Sequence, residues 1–195
     1  RMYNGKAMIN SVNGKQSSMN EVFPLVQKYG GVVVCLCLDE NGIPETAKGR
    51  IAIAEKIIKT AESYGIDKKD LVVDALVMTI STNKDNAKET LKAVEYIRHE
   101  LGVGTVLGVS NISFGLPKRE AINTAFFTLA LKAGLSAGII NPLSESMMNA
   151  YYSYNALEGF DDNCTEYIES VTQSANNNAS SGVTDLKTAI IKGMK

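Results

Sequence analysis

The sequence predicts an α/β protein with a parallel sheet, of the (β/α)8 barrel type. Short apolar, β-branched runs alternate with longer amphipathic stretches. The runs start at residues 7, 32, 71, 105 and 137, spacings of 25, 39, 34 and 32, which is the period of βα units. The runs are apolar rather than alternating, as expected of strands covered on both faces. Polar residues recur where the runs end: Asn10 and Ser11, Asp39, Asp74, Ser110 and Asn111, and Asn141. A barrel gathers such ends on one rim, where they can converge on a ligand. A doubly wound open sheet is the competing arrangement. It is weakened because neither a glycine-rich dinucleotide fingerprint nor a Gly-x-x-x-x-Gly-Lys-Ser/Thr phosphate loop occurs.

Each element has its own justification. Ala7–Asn10 reads as a short strand, followed by a helix from Met19 to Tyr29 that Gly30-Gly31 ends. Val32–Leu38 is a second strand, and Asp39-Glu-Asn-Gly-Ile-Pro44 a turn. A helix over Ala47–Tyr64 places Ile51, Ala54, Ile57, Ile58 and Ala61 on its apolar side, and Gly65 closes it. Leu71–Val77 is a third strand, interrupted by Asp74. Ser81-Thr82-Asn83 can cap a helix running to about Leu101, with Gly102 after it. Thr105–Val109 is the fourth strand and Lys118–Ala133 the next helix. Ala137–Asn141 is the fifth strand, stopped by Pro142.

Five units are not eight, and a closed barrel takes roughly 250 residues. The expectation is therefore the C-terminal five βα units of a truncated barrel, with a complete five-stranded open sheet as the alternative. Exposed sheet edges invite association, so a homodimer is one outcome. Charges nearly cancel, 20 Lys and Arg against 21 Asp and Glu, which advertises no nucleic-acid or anionic-membrane partner. No apolar run reaches the roughly 20 residues needed to span a bilayer. The N-terminus carries no secretory pattern, leaving a cytoplasmic protein as the default. Three cysteines argue against a disulfide scaffold. Cys35 and Cys37 share one strand face, Cys164 is remote and His99 sits in a charged helical pattern, so buried free thiols are expected rather than a metal site.

Two stretches carry candidate chemistry. In Thr105–Gly115 a buried strand runs into Ser110, Asn111 and Ser113, neutral groups that either bind a ligand or cap a turn. Asp74 sits where a sheet interior would be apolar, and a buried charge needs partners. Its carboxylate either accepts nearby backbone N–H groups or takes the paired donors of a ring edge such as a 2-aminopyrimidinone. Asn10 and Asn111 could complete such a site, because an amide offers both donor and acceptor.

Asn10-Ser11, Leu71-Val-Val-Asp74 and Gly108-Val-Ser-Asn-Ile-Ser113 together resemble the pterin-binding domain of corrinoid-dependent methyltransferases. Lys118–Asn123, Ala133-Gly134-Leu135 and Ile139-Ile140-Asn141 continue the resemblance, which covers about residues 5 to 170. It implies a barrel like that of dihydropteroate synthase, a methyltetrahydrofolate substrate, and cobalamin carried by a separate corrinoid-binding domain or protein. By the same resemblance, Asn111 is the catalytic group at N5 of the folate. Asp74 and Asn10 bind the pterin, and Ser11, Ser110, Ser113 and Asn141 line the substrate site. No metal ligand is implied. The resembling enzymes include those of methionine biosynthesis and one-carbon metabolism. Dihydropteroate synthase has a Ser-Arg-Lys type sequence where this chain has Ser110-Asn111-Ile112, which counts against condensation with a pterin diphosphate and for methyl transfer. The resemblance also implies earlier strands with further pterin-clasping residues, so the fragment alone is expected to be inactive. The alternatives are a dihydropteroate-synthase-type enzyme and a non-catalytic binding module.

Domain limits follow from composition. Residues 1–170 form the expected partial barrel, and 171–183, rich in Ser, Asn, Gln and Thr, reads as a linker. Residues 184–195 can form an amphipathic helix that resembles the first helix of a cobalamin-domain cap; an ordinary C-terminal helix is the other reading.

Overall fold

The structure, a computed structural model, describes the backbone of residues 3–180 and side chains through residue 172. It divides into two compact units, Arg1–Asn141 and Pro142–Lys195.

The first unit holds strands β1 (Met8–Asn13), β2 (Val32–Leu36), β3 (Leu71–Asp74), β4 (Gly104–Gly108) and β5 (Ala137–Ile139). Helices α1 (Gln16–Tyr29), α2 (Ala47–Ser63), α3 (Asn86–His99) and α4 (Arg119–Lys132) connect them. All neighbouring strands pair in parallel, in the spatial order β1-β2-β3-β4-β5. Each helix therefore returns the chain to the next strand along, with no reversal. A doubly wound sheet requires a reversal, so this is the winding of a barrel arc.

One sheet face is sealed. Val33 pairs with Leu71, and Cys35 with Val73, whose next partner is Thr105. All five are buried, as are Ile57, Ile58 and Ala61 of α2 and Val94 and Ile97 of α3. α1 packs on β1, α2 on β2 and α3 on β4. Full burial of each such Val, Leu or Ile contributes about 1.5–3 kcal/mol. The opposite face carries Asn10, Val34, Val72 and Gly104 in one register row, and Asn13, Leu36, Asp74, Val106 and Ala137 in another. In this face only Val106 is buried.

The elements sit close to their sequence expectations, with instructive differences. β3 ends at Asp74, although the apolar run continues to Val77, because Leu76 turns left-handed at φ 61°. α3 starts at Asn86 rather than directly after Asn83. Thr82 Oγ1 donates to the Thr79 carbonyl at 3.0 Å and the Asn86 amide to the same carbonyl at 2.7 Å, which uses the intervening residues in a turn. Gly65 and Gly102 take positive φ after α2 and α3, the left-handed stop that lacks a Cβ penalty. On α2 it is Ile53, not Ile51, that is buried.

The second unit contains α5 (Glu145–Leu157) and α6 (Thr165–Ser180), which pack on each other. Ser144 caps α5, and both Asp161 oxygens accept N–H groups at the start of α6, from Glu166 and Tyr167, each at 3.0 Å. The expected linker at 171–183 thus begins in helix. Between Thr165 and Ser180 there is neither Gly nor Pro, so nothing in the polar composition breaks the hydrogen-bond ladder. The rest of that linker and the helix expected over 184–195 lie outside the described residues. Among the described residues no helix is long and apolar enough to cross a membrane.

Candidate functional site

The register of the strands sets the height of each candidate residue. Asn13 pairs with Leu36, Leu36 with Asp74, Asp74 with Val106 and Val106 with Ala137. Measured from that row, the strands start progressively later. Met8 of β1 pairs with Val32, four residues before Leu36; Leu71 is three before Asp74; Gly104 is two before Val106; Ala137 itself opens β5. From β1 to β5 the starts fall back by zero, one, one and two rows, an average near the one residue per strand of an eight-stranded barrel of shear eight. The next row on the same face lies two residues earlier in β3. That row is Val72–Val34–Asn10.

Asn10 and Asp74 therefore lie on the same sheet face, two strands apart and in adjacent rows of that face, with neighbouring strands spaced about 4.8 Å. Alternate strands supply the residues of one layer in a barrel interior, and β1 and β3 are alternate strands. A bulge brings Asn10 onto that face: between Asn10 and Val12 the register advances only from Val34 to Cys35, leaving Ser11 unpaired.

Asp74 is mostly buried. Burial raises its carboxyl pKa, and the Leu76 N–H, donated to Oδ1 at 2.8 Å, partly offsets that rise. Among the described residues Oδ2 has no donor. The side-chain amide of Asn10 likewise has no partner among them, and Asn10 is exposed. Both groups are thus open to a partner from outside the chain, water included.

Asn111 lies in the 3-10 turn Val109–Ser113 that follows β4. It is exposed and its amide is unpaired among the described residues. Gly108 makes room for it, since a Cβ there would stand 3.2 Å from Asn111 Nδ2. The turn is tied to the loop after β3: Ile80 N–H donates to the Ile112 carbonyl at 3.0 Å, and Thr79 and Ser81 hydroxyls each reach the Phe114 carbonyl at 2.8 Å. Asp74 and Asn111 are thus carried on neighbouring, bonded loops.

The other expected residues divide. Ser113, expected to line the substrate site, packs inward. It is fully buried, its hydroxyl donates to Asn123 Oδ1 at 2.7 Å, and it accepts from Arg119 Nε at 3.0 Å. Burial of Ile112 and Ser113 in the turn rolls the hydroxyl inward, so its role is to brace Asn111. Ser110 is exposed, and its carbonyl accepts from Arg119 Nη2 at 2.8 Å. Asn141 is exposed just beyond β5. Cys35 and Cys37 are buried; burial pushes the Cys35 thiol up to about 12 and raises that of Cys37 further. Among the described residues no group of His, Cys, Asp and Glu could hold a metal ion.

Sequence reasoning missed three residues that shape this site. Asn13 ends β1 in the Asp74 row, its side-chain oxygen accepting from Lys15 N–H. Arg119 lies over the Phe114 ring, 4.5 Å from its centre, and bonds the turn that bears Asn111. Arg50 is fully buried. Its signal was in the sequence, because with Ala47, Ile53, Ala54, Ile57 and Ile58 it falls on the i, i+3, i+4 stripe of α2.

A family model described as pterin binding enzyme matches residues 2–141, the whole of the five-stranded unit save its first residue. The chain belongs to the pterin binding enzymes. A methylcorrinoid:tetrahydrofolate methyltransferase of Eubacterium limosum is 29% identical over 171 residues, 85% of this chain and 62% of that protein. The methionine synthases of Mycobacterium tuberculosis and Mycobacterium leprae are 34% and 35% identical over 158 and 150 residues, 74% and 70% of this chain. The chain spans only 13% and 12% of those two proteins' length. A dihydropteroate synthase from Xanthomonas albilineans, solved in complex with 7,8-dihydropteroate, superposes with a TM-score of 0.58 at 20% identity, over 77% of this chain and 59% of that one. That likeness establishes the fold: the α/β barrel type expected from the sequence is the one found.

Proposed function

We propose that this chain binds methyltetrahydrofolate on the open face of its sheet and supports transfer of the N5 methyl group to cob(I)alamin. It would do so as part of methionine synthase or a related cytoplasmic corrinoid methyltransferase. The observation that carries the reading is that Asn10 and Asp74 share one half-open sheet face, in adjacent rows, each with polar atoms that have no partner among the described residues. The pterin edge presents two adjacent N–H donors, and a carboxylate can receive one on each oxygen, Oδ2 being open and Oδ1 keeping a second lone pair beside the Leu76 N–H. Asn10 can both donate to and accept from the remaining ring positions. Val34 and Val72, in the same row, offer the ring an apolar surface.

N5 of methyltetrahydrofolate is a tertiary amine and a poor leaving group until it gains positive character. Asn111 has no proton to give from its own reservoir. Its amide oxygen can accept a hydrogen bond from protonated N5, with water supplying the proton, so the bond strengthens as the transition state forms. A corrinoid carried by another domain or protein supplies the nucleophile, and the exposed turn holding Asn111 leaves N5 open to approach. Ser11, Ser110 and Asn141 border the same strand ends.

Calorimetric titration of methyltetrahydrofolate tests this on the chain and on a version carrying further upstream βα units. Binding that Asp74→Ala abolishes supports the reading. Binding to neither version overturns it and leaves a non-catalytic module. Turnover that requires a pterin diphosphate and aminobenzoate would instead indicate dihydropteroate-synthase-type chemistry.

A further inference from the structure

Arg50 is a buried cation that the proposed chemistry does not use. Its Nε donates to the Pro44 carbonyl at 2.9 Å, in the loop after β2. Its Nη1 donates to Thr90 Oγ1 of α3 at 2.7 Å and to the Leu76 carbonyl at 3.0 Å. Nη2 has no partner among the described residues. Burying a guanidinium this fully is costly, and an apolar side chain of similar volume would pack the α2–α3 seam at least as stably. Packing alone does not account for the charge.

Leu76 gives a reason for it. Its φ of 61° is the left-handed conformation, which a side chain with a Cβ disfavours. Both ends of the residue are held: its N–H is on Asp74 Oδ1, and its C=O is on Arg50. Released from Arg50, Leu76 would relax towards right-handed φ and swing that N–H off the carboxylate. We propose that Arg50 is a positioning residue: through the Leu76 peptide it orients the Asp74 carboxylate, leaving Oδ2 aimed at the ligand. The ligand named here rests on the folate reading above; the linkage from Arg50 to Asp74 does not.

The charged and titratable groups around this linkage are Cys37, which follows β2, Arg50 on α2, and Glu89 on α3. Cys37 stays protonated through the neutral range, because burial raises its pKa. Glu89, which accepts the Ala47 N–H, is held below the ordinary carboxylate range. Of the two carboxyls it is Asp74 that accepts the Leu76 N–H, while Glu89 accepts that of Ala47, so the Leu76 amide reports on Asp74.

The test uses two charge-preserving variants. Arg50→Lys keeps the cation but has one nitrogen where the guanidinium uses two, Nε for Pro44 and Nη1 for Leu76 and Thr90, and Thr90→Val removes one acceptor while leaving Arg50 in place. NMR follows the Asp74 carboxyl and the Leu76 amide through a pH titration in the full chain. In the unaltered chain the Leu76 amide resonance tracks the ionisation of Asp74. In Arg50→Lys we expect that dependence to fall by at least half and the Asp74 pKa to rise, with Thr90→Val moving both in the same direction by less. Methyltetrahydrofolate affinity falls about ten-fold in Arg50→Lys. An unchanged Leu76 response in folded Arg50→Lys overturns the proposal. So does an unchanged response in Thr90→Val, should Arg50→Lys fail to fold. If the variants respond as expected but the unaltered protein binds no folate, the folate reading fails while the positioning role stands.

Discussion

Replacing Ser113 with alanine separates two roles that the sequence alone could not. The hydroxyl's single proton faces two neutral acceptors, Asn123 Oδ1 at 2.7 Å and the longer Ser110 carbonyl at 3.3 Å, and its oxygen accepts from the Arg119 guanidinium at 3.0 Å. A neutral bond contributes about 0.5–1.5 kcal/mol net, and one to a charged group about 1.5–3 kcal/mol. Arg119 is half-exposed and can rehydrate, so its share falls at the low end, while Asn123 Oδ1 loses its donor in a partly buried setting. No apolar surface is lost to offset this. The expected destabilisation is about 2 kcal/mol, or a fall in Tm of roughly 4–8 °C. Urea unfolding followed by circular dichroism measures it. Methyl transfer should fall more than folate affinity, because the turn that fixes Asn111 loosens while Asp74 and Asn10 stay in place. Stability within about 0.5 kcal/mol of the parent, accompanied by loss of ligand affinity, would refute the bracing role and make Ser113 a direct contact.

Further outcomes follow from the same geometry. Asn111→Ala should lower the methyl-transfer rate by about 100-fold or more while weakening folate binding far less; equal losses in single-turnover and binding assays would mean a simple binding role. Asp74→Asn should trade binding for stability. Burial raises the Asp74 pKa, so its favourable contribution is present below the ordinary carboxylate pKa and lost as pH rises through the raised value. The asparagine variant is then more stable by about 1 kcal/mol near neutral pH, loses that advantage in acid, and binds folate at least about 30-fold more weakly. Melting curves across pH, with calorimetry beside them, read both effects. Gly108→Ala would bring its new Cβ to 3.2 Å from Asn111 Nδ2, so kcat should fall several-fold with folate affinity nearly intact. An unchanged kcat would show that the Asn111 amide has room to move.

Much of the fold could be read from the chain because its signals are local. The spacing of apolar runs placed all five strands, and Gly65 and Gly102 marked helix ends through their need for positive φ. The end of β3 could not be read this way. Nothing in Leu71–Val77 marks Leu76 as left-handed, since that conformation is imposed by Asp74 and by Arg50, 26 residues away. Asp74, Asn10 and Asn111 stood out as polar groups at strand ends, but their relative heights depend on register and on the bulge at Ser11. Those are properties of pairing between strands. The burial of Ser113 could not be read from the sequence, because side-chain direction within a 3-10 turn leaves no periodic trace. The helix through 171–180 was hidden because polar composition reports solvation, whereas the helix stands on the absence of breakers and the Asp161 cap.

The bonds between the loops after β3 and β4 have a thermodynamic consequence. With Ile80 paired to Ile112, and Thr79 and Ser81 both on Phe114, neither loop can become ordered without restricting the other. A ligand that meets only Asp74 therefore already meets part of the entropy cost of fixing Asn111. A second partner arriving at Asn111 encounters a surface whose freedom has been spent, and binds more tightly without any change of shape. Slower amide exchange at Ile80 and Phe114 on addition of a pterin too small to reach Asn111 would be the signature of that coupling.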